Sequence, residues 1–218
     1  MPPLLLLTRP EPASRRFAAQ AAGLGLSVVI APVLRIEALP HDADALQSAQ
    51  GLVFTSENAV PFAGEGRGRP AICVGPRSAA VARAAGFDAV AGPGDAVRLE
   101  PMLKDLGPGW LHPHGRHIAR ALPVPGIVVY DQLPAPLSAE ALAALAGDVP
   151  VLLPLFSPRT GRILLAEMAA VRAPLWVVPI SDAAASGWQP LAARLMVAPT
   201  PDAEGILTAM KAILLEDH

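Results

Sequence analysis

Six short polar segments carry the side chains of this chain most able to do chemistry: Thr8-Arg9-Pro10, Thr55-Ser56-Glu57-Asn58, Gly75-Pro76-Arg77-Ser78, His114-Gly115-Arg116, Ser157-Pro158-Arg159-Thr160 and Ser181-Asp182. Each follows a short apolar run. Four of them contain arginine, whose planar fork meets a carboxylate or phosphate bidentately. One ligand bearing several carboxylates on a large frame would use such an inventory. Singly, Ser, Thr and Asn in these places are helix caps and the arginines a solvated rim. As a set, Arg9, Thr55, Ser56, Asn58, Arg77, Ser78, His114, Arg116, Ser157 and Arg159 read as binding residues.

Reactive side chains are scarce. Gly-x-Ser-x-Gly is absent and Ser157 has no histidine near it in sequence, so no nucleophilic triad can be assembled. The glycine-rich Gly64-Glu65-Gly66-Arg67-Gly68 follows no apolar run and lacks the Lys-Ser/Thr of a phosphate loop, which makes it a surface turn. His112, His114 and His117 lie close together, but Pro113 and Gly115 imply a turn there and no carboxylate cluster adjoins them. The expectation is therefore no metal and no cofactor, with His114 a cationic or hydrogen-bonding lip. Tyr130, the only tyrosine, is a phenol suited to proton donation at neutral pH. Read without further context, it is an amphipathic boundary residue with its ring packed and its hydroxyl wet. Any catalysis must come from positioning and electrostatics.

The elements that hold these segments follow from hydrophobic spacing. Apolar runs at Leu4–Leu7, Ser27–Ala31, Gly51–Thr55, Ala71–Val74, Ala89–Ala91, Trp110–His112, Ile127–Tyr130, Val151–Phe156, Leu175–Val178 and Arg194–Ala198 lack polar alternation, the pattern of parallel strands buried on both faces. Helix-period stretches lie between them at Pro12–Leu24, Arg77–Ala85, Ala96–Leu106, Ser138–Ala146, Arg159–Val171 and Ala203–Leu215. Pro101 is discordant inside the third, which must kink there or start later. The rhythm is that of a doubly wound α/β fold, and its polar turns fall at strand carboxyl ends, where such sheets bind ligands.

The chain also repeats itself. Val90-Ala91-Gly92-Pro93-Gly94-Asp95-Ala96 recurs as Val197-Ala198-Pro199-Thr200-Pro201-Asp202-Ala203, and at the same offset of 107 positions Leu99 matches Ile206 and Leu103 matches Met210. Two similar lobes with a cleft between them are expected: residues 1–33 with 133–218 as one, and 39–126 as an inserted second. Residues 34–38 and 127–132, which alternate apolar and polar, are expected to form a two-stranded β hinge.

Composition narrows the classes of partner. Hydrophobic residues are 52% of 218 and mean hydropathy is +0.42, ample for a core. Net charge is −2 and aromatics are 4%, which argues against a nucleic-acid surface. The amino-terminal apolar run is interrupted by Arg9, and no run reaches the roughly 18 residues of a membrane span. One cysteine, Cys73, excludes an internal disulfide and suits a reducing cytoplasm.

Taken in order, Thr8-Arg9-Pro10, Gly25, Phe54-Thr55-Ser56-x-Asn58-Ala59-Val60, Val74-Gly75-x-x-Ser78-Ala79, Val129-Tyr130, Phe156-Ser157-Pro158 and Ala198-Pro199-Thr200-Pro201-Asp202 resemble the uroporphyrinogen-III synthase family over nearly the whole chain. The resemblance implies two flavodoxin-like (doubly wound parallel sheet) domains joined by a two-stranded ladder. It implies a cofactor-free lyase of tetrapyrrole biosynthesis that cyclises hydroxymethylbilane, a linear tetrapyrrole with eight carboxylates, inverting ring D with loss of water. It makes Tyr130 the catalytic candidate, assisting departure of the hydroxyl, and puts Thr55, Ser56, Ser78 and Ser157 in the substrate cleft. The expected partners are that substrate and, transiently, the enzyme that delivers it, with no nucleic acid and no membrane; the chain is expected to be a monomer. Three segments depart from the family pattern: His112-Pro113-His114-Gly115 has histidine where arginine commonly precedes the glycine, Ile180-Ser181-Asp182-Ala183 lacks the usual Gly and Thr, and Ser78 replaces a frequent Thr. The rival expectation is a non-catalytic two-lobed binder of a polycarboxylate, and a degenerate family member serving as a partner domain is the third.

Overall fold

The computed structural model describes residues 2–118, 120–168 and 171–215. Among these the strands, in chain order, are β1 (Leu4–Leu7), β2 (Val28–Ile30), β3 (Leu34–Ala38), β4 (Gly51–Phe54), β5 (Pro70–Cys73), β6 (Asp88–Ala91), β7 (Trp110–Gly115), β8 (Gly126–Pro134), β9 (Val151–Leu155), β10 (Leu175–Pro179) and β11 (Ala192–Leu195). The α-helices are α1 (Glu11–Ala21), α2 (Ala43–Ser48), α3 (Pro76–Ala84), α4 (Ala96–Leu99), α5 (Ala139–Leu145), α6 (Pro158–Ala166), α7 (Asp182–Ala185) and α8 (Ala203–Leu215). The chain divides into two units, Met1–Arg35 with Pro134–His218, and Ile36–Leu133.

The first unit holds a parallel sheet in the order β11-β10-β9-β1-β2. Its central strands are unbroken apolar runs because helices cover both faces. Leu5 and Leu7 pack on one side with Phe17, Ile206, Met210 and Ile213, whereas Leu6 packs on the other with Leu145, Leu164 and Trp188. Helix α1 presents Ala13, Phe17 and Ala21 at four-residue spacing to that core, and Pro12 stands in its first turn.

The second unit holds the order β3-β8-β7-β4-β5-β6. Leu52 and Phe54 of β4 face a core with Leu46, Ala79, Ala82 and Phe87, while Val53 faces Leu99 and Leu103 on the opposite side. Strands β4 to β8 are parallel. Strand β3 runs antiparallel to β8, as the Leu39 N–H donation to Val129 O (3.0 Å) and the Ala135 N–H donation to Val33 O (2.9 Å) require. The two expected hinge strands thus form one edge of the six-stranded sheet.

Counting strands along each unit, and leaving out the antiparallel edge strand β3, the first sheet has the flavodoxin-like order 2-1-3-4-5 and the second 3-2-1-4-5. The two spatial patterns coincide once the first unit is read from β9 onward, so that β9, β10, β11, β1 and β2 match β4, β5, β6, β7 and β8. The units are circular permutants of one arrangement. The repeat seen in sequence survives in detail: Asp95 accepts from the Arg98 N–H and Asp202 from the Gly205 N–H, both at 2.8 Å, capping α4 and α8. Leu99 and Ile206 are both fully buried.

Several boundaries differ from the sequence expectation. Helix α4 stops at Leu99 and gives way to a 3-10 turn, Glu100–Leu103, at Pro101, because proline has no N–H to continue the α-helical ladder. Helix α1 ends at Ala21, followed by a 3-10 turn closed by Gly25 at φ 65°. Helix α6 ends at Ala166; residues 169–170 of the expected stretch lie outside the described residues. The last strand falls at Ala192–Leu195 rather than Arg194–Ala198. The segment expected to be a turn at Pro113 is strand: β7 continues to Gly115 by pairing with β8, while its register with β4 ends at Leu52↔Leu111. Pro113 therefore sits where no N–H is demanded. The Gly64–Gly68 segment is a surface turn as expected, with Gly64 and Gly68 at positive φ.

Candidate functional site

Doubly wound sheets bind ligands beyond the strand carboxyl ends, at the point where strand order reverses. In the second unit that point lies between β4 and β7. A hollow of about 330 Å³ opens there, its wall including Thr55 and Ser56 after β4, Gly115 at the end of β7, and Tyr130 and Gln132 of β8.

Tyr130 is only 4% exposed. Its ring stacks on Phe62, centroids 5.8 Å apart and planes 21° off parallel. The ring also lies against Gly115: a Cβ there would stand 2.6 Å from Cε2 and Cζ and 2.9 Å from the phenol oxygen. The ring is thus fixed between an aromatic face and bare backbone. Beside it, the Thr55 hydroxyl meets Nε2 of His112 at 2.9 Å. The Ser56 Oγ accepts the Asn58 N–H at 3.2 Å and opens a 3-10 turn, Glu57–Phe62.

The charged groups around the hollow are paired. Arg116 donates Nε–H to Asp131 Oδ2 at 2.7 Å, Asp131 Oδ1 also accepts the Gln132 N–H at 2.7 Å, and His117 Nε2 stands 3.7 Å from the same oxygen. Burial alone would raise the Asp131 pKa; the Arg116 and Gln132 hydrogen bonds, with the Arg116 and His117 charges, outweigh it and hold the carboxyl below its ordinary value. Arg120, in the wall, bonds Glu100 at 2.8 Å, and Arg77 bonds Glu57 at 2.8 Å. A guanidinium carries five N–H donors, so such pairing orients it without exhausting it.

In the first unit the reversal lies between β1 and β9. There the Arg9 guanidinium lies 4.1 Å over the Phe156 ring, a cation–π contact, and Phe156 meets Phe17 edge-on at 4.8 Å. Ser157 Oγ donates to Thr160 Oγ1 at 2.9 Å and accepts the Thr160 N–H at 3.1 Å, capping α6, whose first turn holds Arg159. Ser181 caps α7 in the same way after β10.

A family model described as uroporphyrinogen-III synthase HemD matches residues 15–208. The chain belongs to the uroporphyrinogen-III synthase family. Among solved structures, the uroporphyrinogen-III synthetase of Helicobacter pylori is similar over 98% of this chain and 100% of its own, with 15% identity and a TM-score of 0.64. A mutant uroporphyrinogen III synthase of Thermus thermophilus covers 99% and 100%, with 18% identity and a TM-score of 0.48. A search of curated proteins returned no match. The Helicobacter pylori structure speaks for the fold; the family model makes this synthase an enzyme of porphyrin biosynthesis, and the non-catalytic binder is set aside.

Of the residues singled out in sequence, Thr55, Ser56 and Tyr130 line the synthase's hollow in the second unit. Asn58, Arg77, Ser78, His114 and Arg116 stand on adjoining strand ends and first helical turns but are not among its lining residues. Ser78 is buried on α3, and His114 donates Nδ1–H to the Gly115 carbonyl at 2.8 Å. Arg9, Ser157 and Arg159 belong to the strand ends of the first unit. Sequence reasoning does not place His112, His117, Arg120 or Gln132 at the site. Drawing β7 to its true end at Gly115 and β8 on to Pro134 brings His117 and Gln132 into view. Among the described residues no group of three or more His, Cys, Asp or Glu is arranged to hold a metal ion, and no helix is long and apolar enough to cross a membrane.

Proposed function

We propose that this synthase acts as a hydro-lyase on hydroxymethylbilane, with Tyr130 beside the departing hydroxyl. The first pyrrole nitrogen pushes electron density toward its hydroxymethyl carbon, the C–O bond breaks, and the phenol gives its proton to the leaving oxygen, so that water departs. The resulting azafulvene is attacked by ring D at the carbon that already carries its bridge, forming a spiro intermediate. Bond migration inverts the ring, and loss of the final ring proton to the phenolate restores both the pyrrole and Tyr130. Atoms balance as substrate to macrocycle plus water, with no change of oxidation state and no need of an electron carrier.

The observation that carries this reading is the clamping of Tyr130 between Phe62 and Gly115 in the wall of a hollow at the sheet reversal. Thr55 and Ser56 in that wall, and the strand-end Arg9, Ser157 and Arg159, are donors suited to the carboxylates and pyrroles of the substrate. Because the linear substrate closes unaided to the symmetric isomer, the enzyme's task is to impose geometry. A cytoplasmic monomer supplied by the preceding enzyme accompanies this proposal. The single cysteine fits a reducing compartment, since burial pushes the Cys73 thiol up to about 11 and leaves it inert. The test is incubation with freshly generated hydroxymethylbilane and separation of the oxidised porphyrin isomers. Isomer III in excess is expected; isomer I alone, at the protein-free rate, refutes the proposal.

A further inference from the structure

We propose that His112 is a positioning residue of this synthase, its buried imidazole holding the Thr55 hydroxyl in the orientation that meets the substrate. The inference rests on the function proposed above. His112 is the third residue of β7 and Thr55 the first after β4, neighbouring strands that diverge at the sheet reversal. Their side chains meet at 2.9 Å between Nε2 and Oγ1. Thr55 is half-buried in the wall of the hollow, whereas His112 is 2% exposed and lies outside that wall. The imidazole can reach substrate only through the threonine.

The geometry behind His112 keeps its ring in place. The rings of His112 and His114 lie 4.7 Å apart, tilted by 37°. His114 in turn donates Nδ1–H to the Gly115 carbonyl at 2.8 Å, and its Nε2 occupies space over Gly126, where a Cβ would come within 2.5 Å. Gly115 is also the residue on which the Tyr130 ring rests. The stack Gly115–His114–His112–Thr55 therefore ties the threonine hydroxyl and the tyrosine phenol to one backbone segment. An isolated threonine hydroxyl turns freely about its C–O bond; one engaged by a fixed imidazole keeps its remaining hydrogen-bonding capacity directed into the hollow.

Burial, and then the neighbouring His114, push the His112 pKa down to about 4. The ring is consequently neutral through the physiological range, with one nitrogen a donor and the other an acceptor. If the ring served packing alone, a folded variant with an apolar side chain of similar volume would keep wild-type kinetics whatever its cost in stability, and this is what separates the inference from a structural role.

The experiment is a double-mutant cycle on isomer III formation with kcat and KM resolved, using Thr55→Val, His112→Leu and the pair, plus His112→Gln, whose amide reaches close to the position of Nε2. Wild-type turnover is measured first: if the wild type forms no isomer III, the proposed function fails and this inference falls with it, whereas a fault in this inference alone appears only in the variants. His112→Leu and Thr55→Val are each expected to lower kcat/KM by about five- to tenfold, the effect of one lost hydrogen bond. The double variant should be no worse than Thr55→Val, and His112→Gln should recover most of the activity. Losses that multiply, a silent Thr55→Val, or a folded His112→Leu with wild-type kinetics would each overturn the proposal, as would His112→Gln no better than His112→Leu. Should His112→Leu fail to fold, His112→Asn, whose shorter amide cannot reach Thr55, takes its place in the cycle with the same expected loss.

Discussion

Replacing Gly115 with alanine tests the clamp on Tyr130 by adding one methyl group. The new Cβ would lie 2.6 Å from two ring carbons of Tyr130 and 2.9 Å from its oxygen. Carbon–carbon contact settles at about 3.5–4.0 Å, so the ring or the β7 backbone must yield by about 1 Å. The ring has little room to retreat, since Phe62 stacks on it at 5.8 Å. Overpacking of this kind costs about 1–3 kcal/mol of stability, which leaves a folded enzyme. A catalytic group misplaced by about 1 Å costs roughly a hundredfold in rate. We therefore expect kcat for isomer III to fall about a hundredfold, with KM within about threefold of wild type, because the methyl group perturbs the reacting centre more than the binding donors. Single-turnover mixing with hydroxymethylbilane, followed by isomer separation, measures the fall, and a urea midpoint confirms that the variant is folded. A folded Gly115→Ala enzyme with near-wild-type kcat would refute the reasoning, because the phenol position would then not matter to the step assigned to it.

Tyr130→Phe keeps the ring and removes the acid, so kcat should drop by about a hundredfold or more with KM nearly unchanged; equal loss in both constants would count against the proton-donor role. His112 contributes to acid sensitivity: its folded pKa lies near 4, below the ordinary 6.5, so the unfolded chain takes up a proton that the folded ring refuses. Stability should fall as pH drops from 6.5 toward 4, by about 3 kcal/mol from this group. His112→Gln should flatten that limb in urea titrations across the range, and parallel curves for the two proteins would contradict it. Gly66→Ala would drive a Cβ to 2.2 Å from the backbone of Gly86 and Phe87, a collision that no side-chain rotation relieves. The melting temperature should fall by roughly 5–10 °C, and an unchanged melting curve would show that the turn adapts.

Much of the architecture is legible because parallel strands buried on both faces write themselves as unbroken apolar runs. Leu4–Leu7 has the limits, and the helix from Ala203 the start, that their hydrophobic spacing predicts. The misread segments are those where tertiary pairing overrides local pattern. Pro113 looks like a breaker, yet β7 passes through it because only one of its two neighbours still pairs there. The short α2 and α7 and the 3-10 turn at Glu57–Phe62 span six residues or fewer, too few to display a helical period. The repeat from β6 into α4 is visible in sequence, whereas the match of β1 and β2 to β7 and β8 is not, since permutation defeats any comparison that keeps chain order. At the candidate site, hydroxyls placed at strand ends are plain from residue type and position. The support of Tyr130 by Gly115 and of Thr55 by His112 is hidden, because neither spacing nor residue type reveals contacts between strands.

The permuted connectivity bears on how the molecule assembles. Strand β1 leaves the ribosome long before its neighbour β9, which begins only at Val151. The intervening unit, Ile36–Leu133, is contiguous and can complete its own sheet while the rest of the chain is still being made. Once it has folded, β3 and β8 bring Val33 and Ala135 within a 2.9 Å hydrogen bond, so a long search by a floppy loop becomes closure across a ready-made clip. Pulse-labelled hydrogen exchange should accordingly find β4 and β5 protected before β1 and β9, and the reverse order would exclude this route. An inserted lobe of this kind works as an internal template, delivering the two ends of its host to each other already aligned.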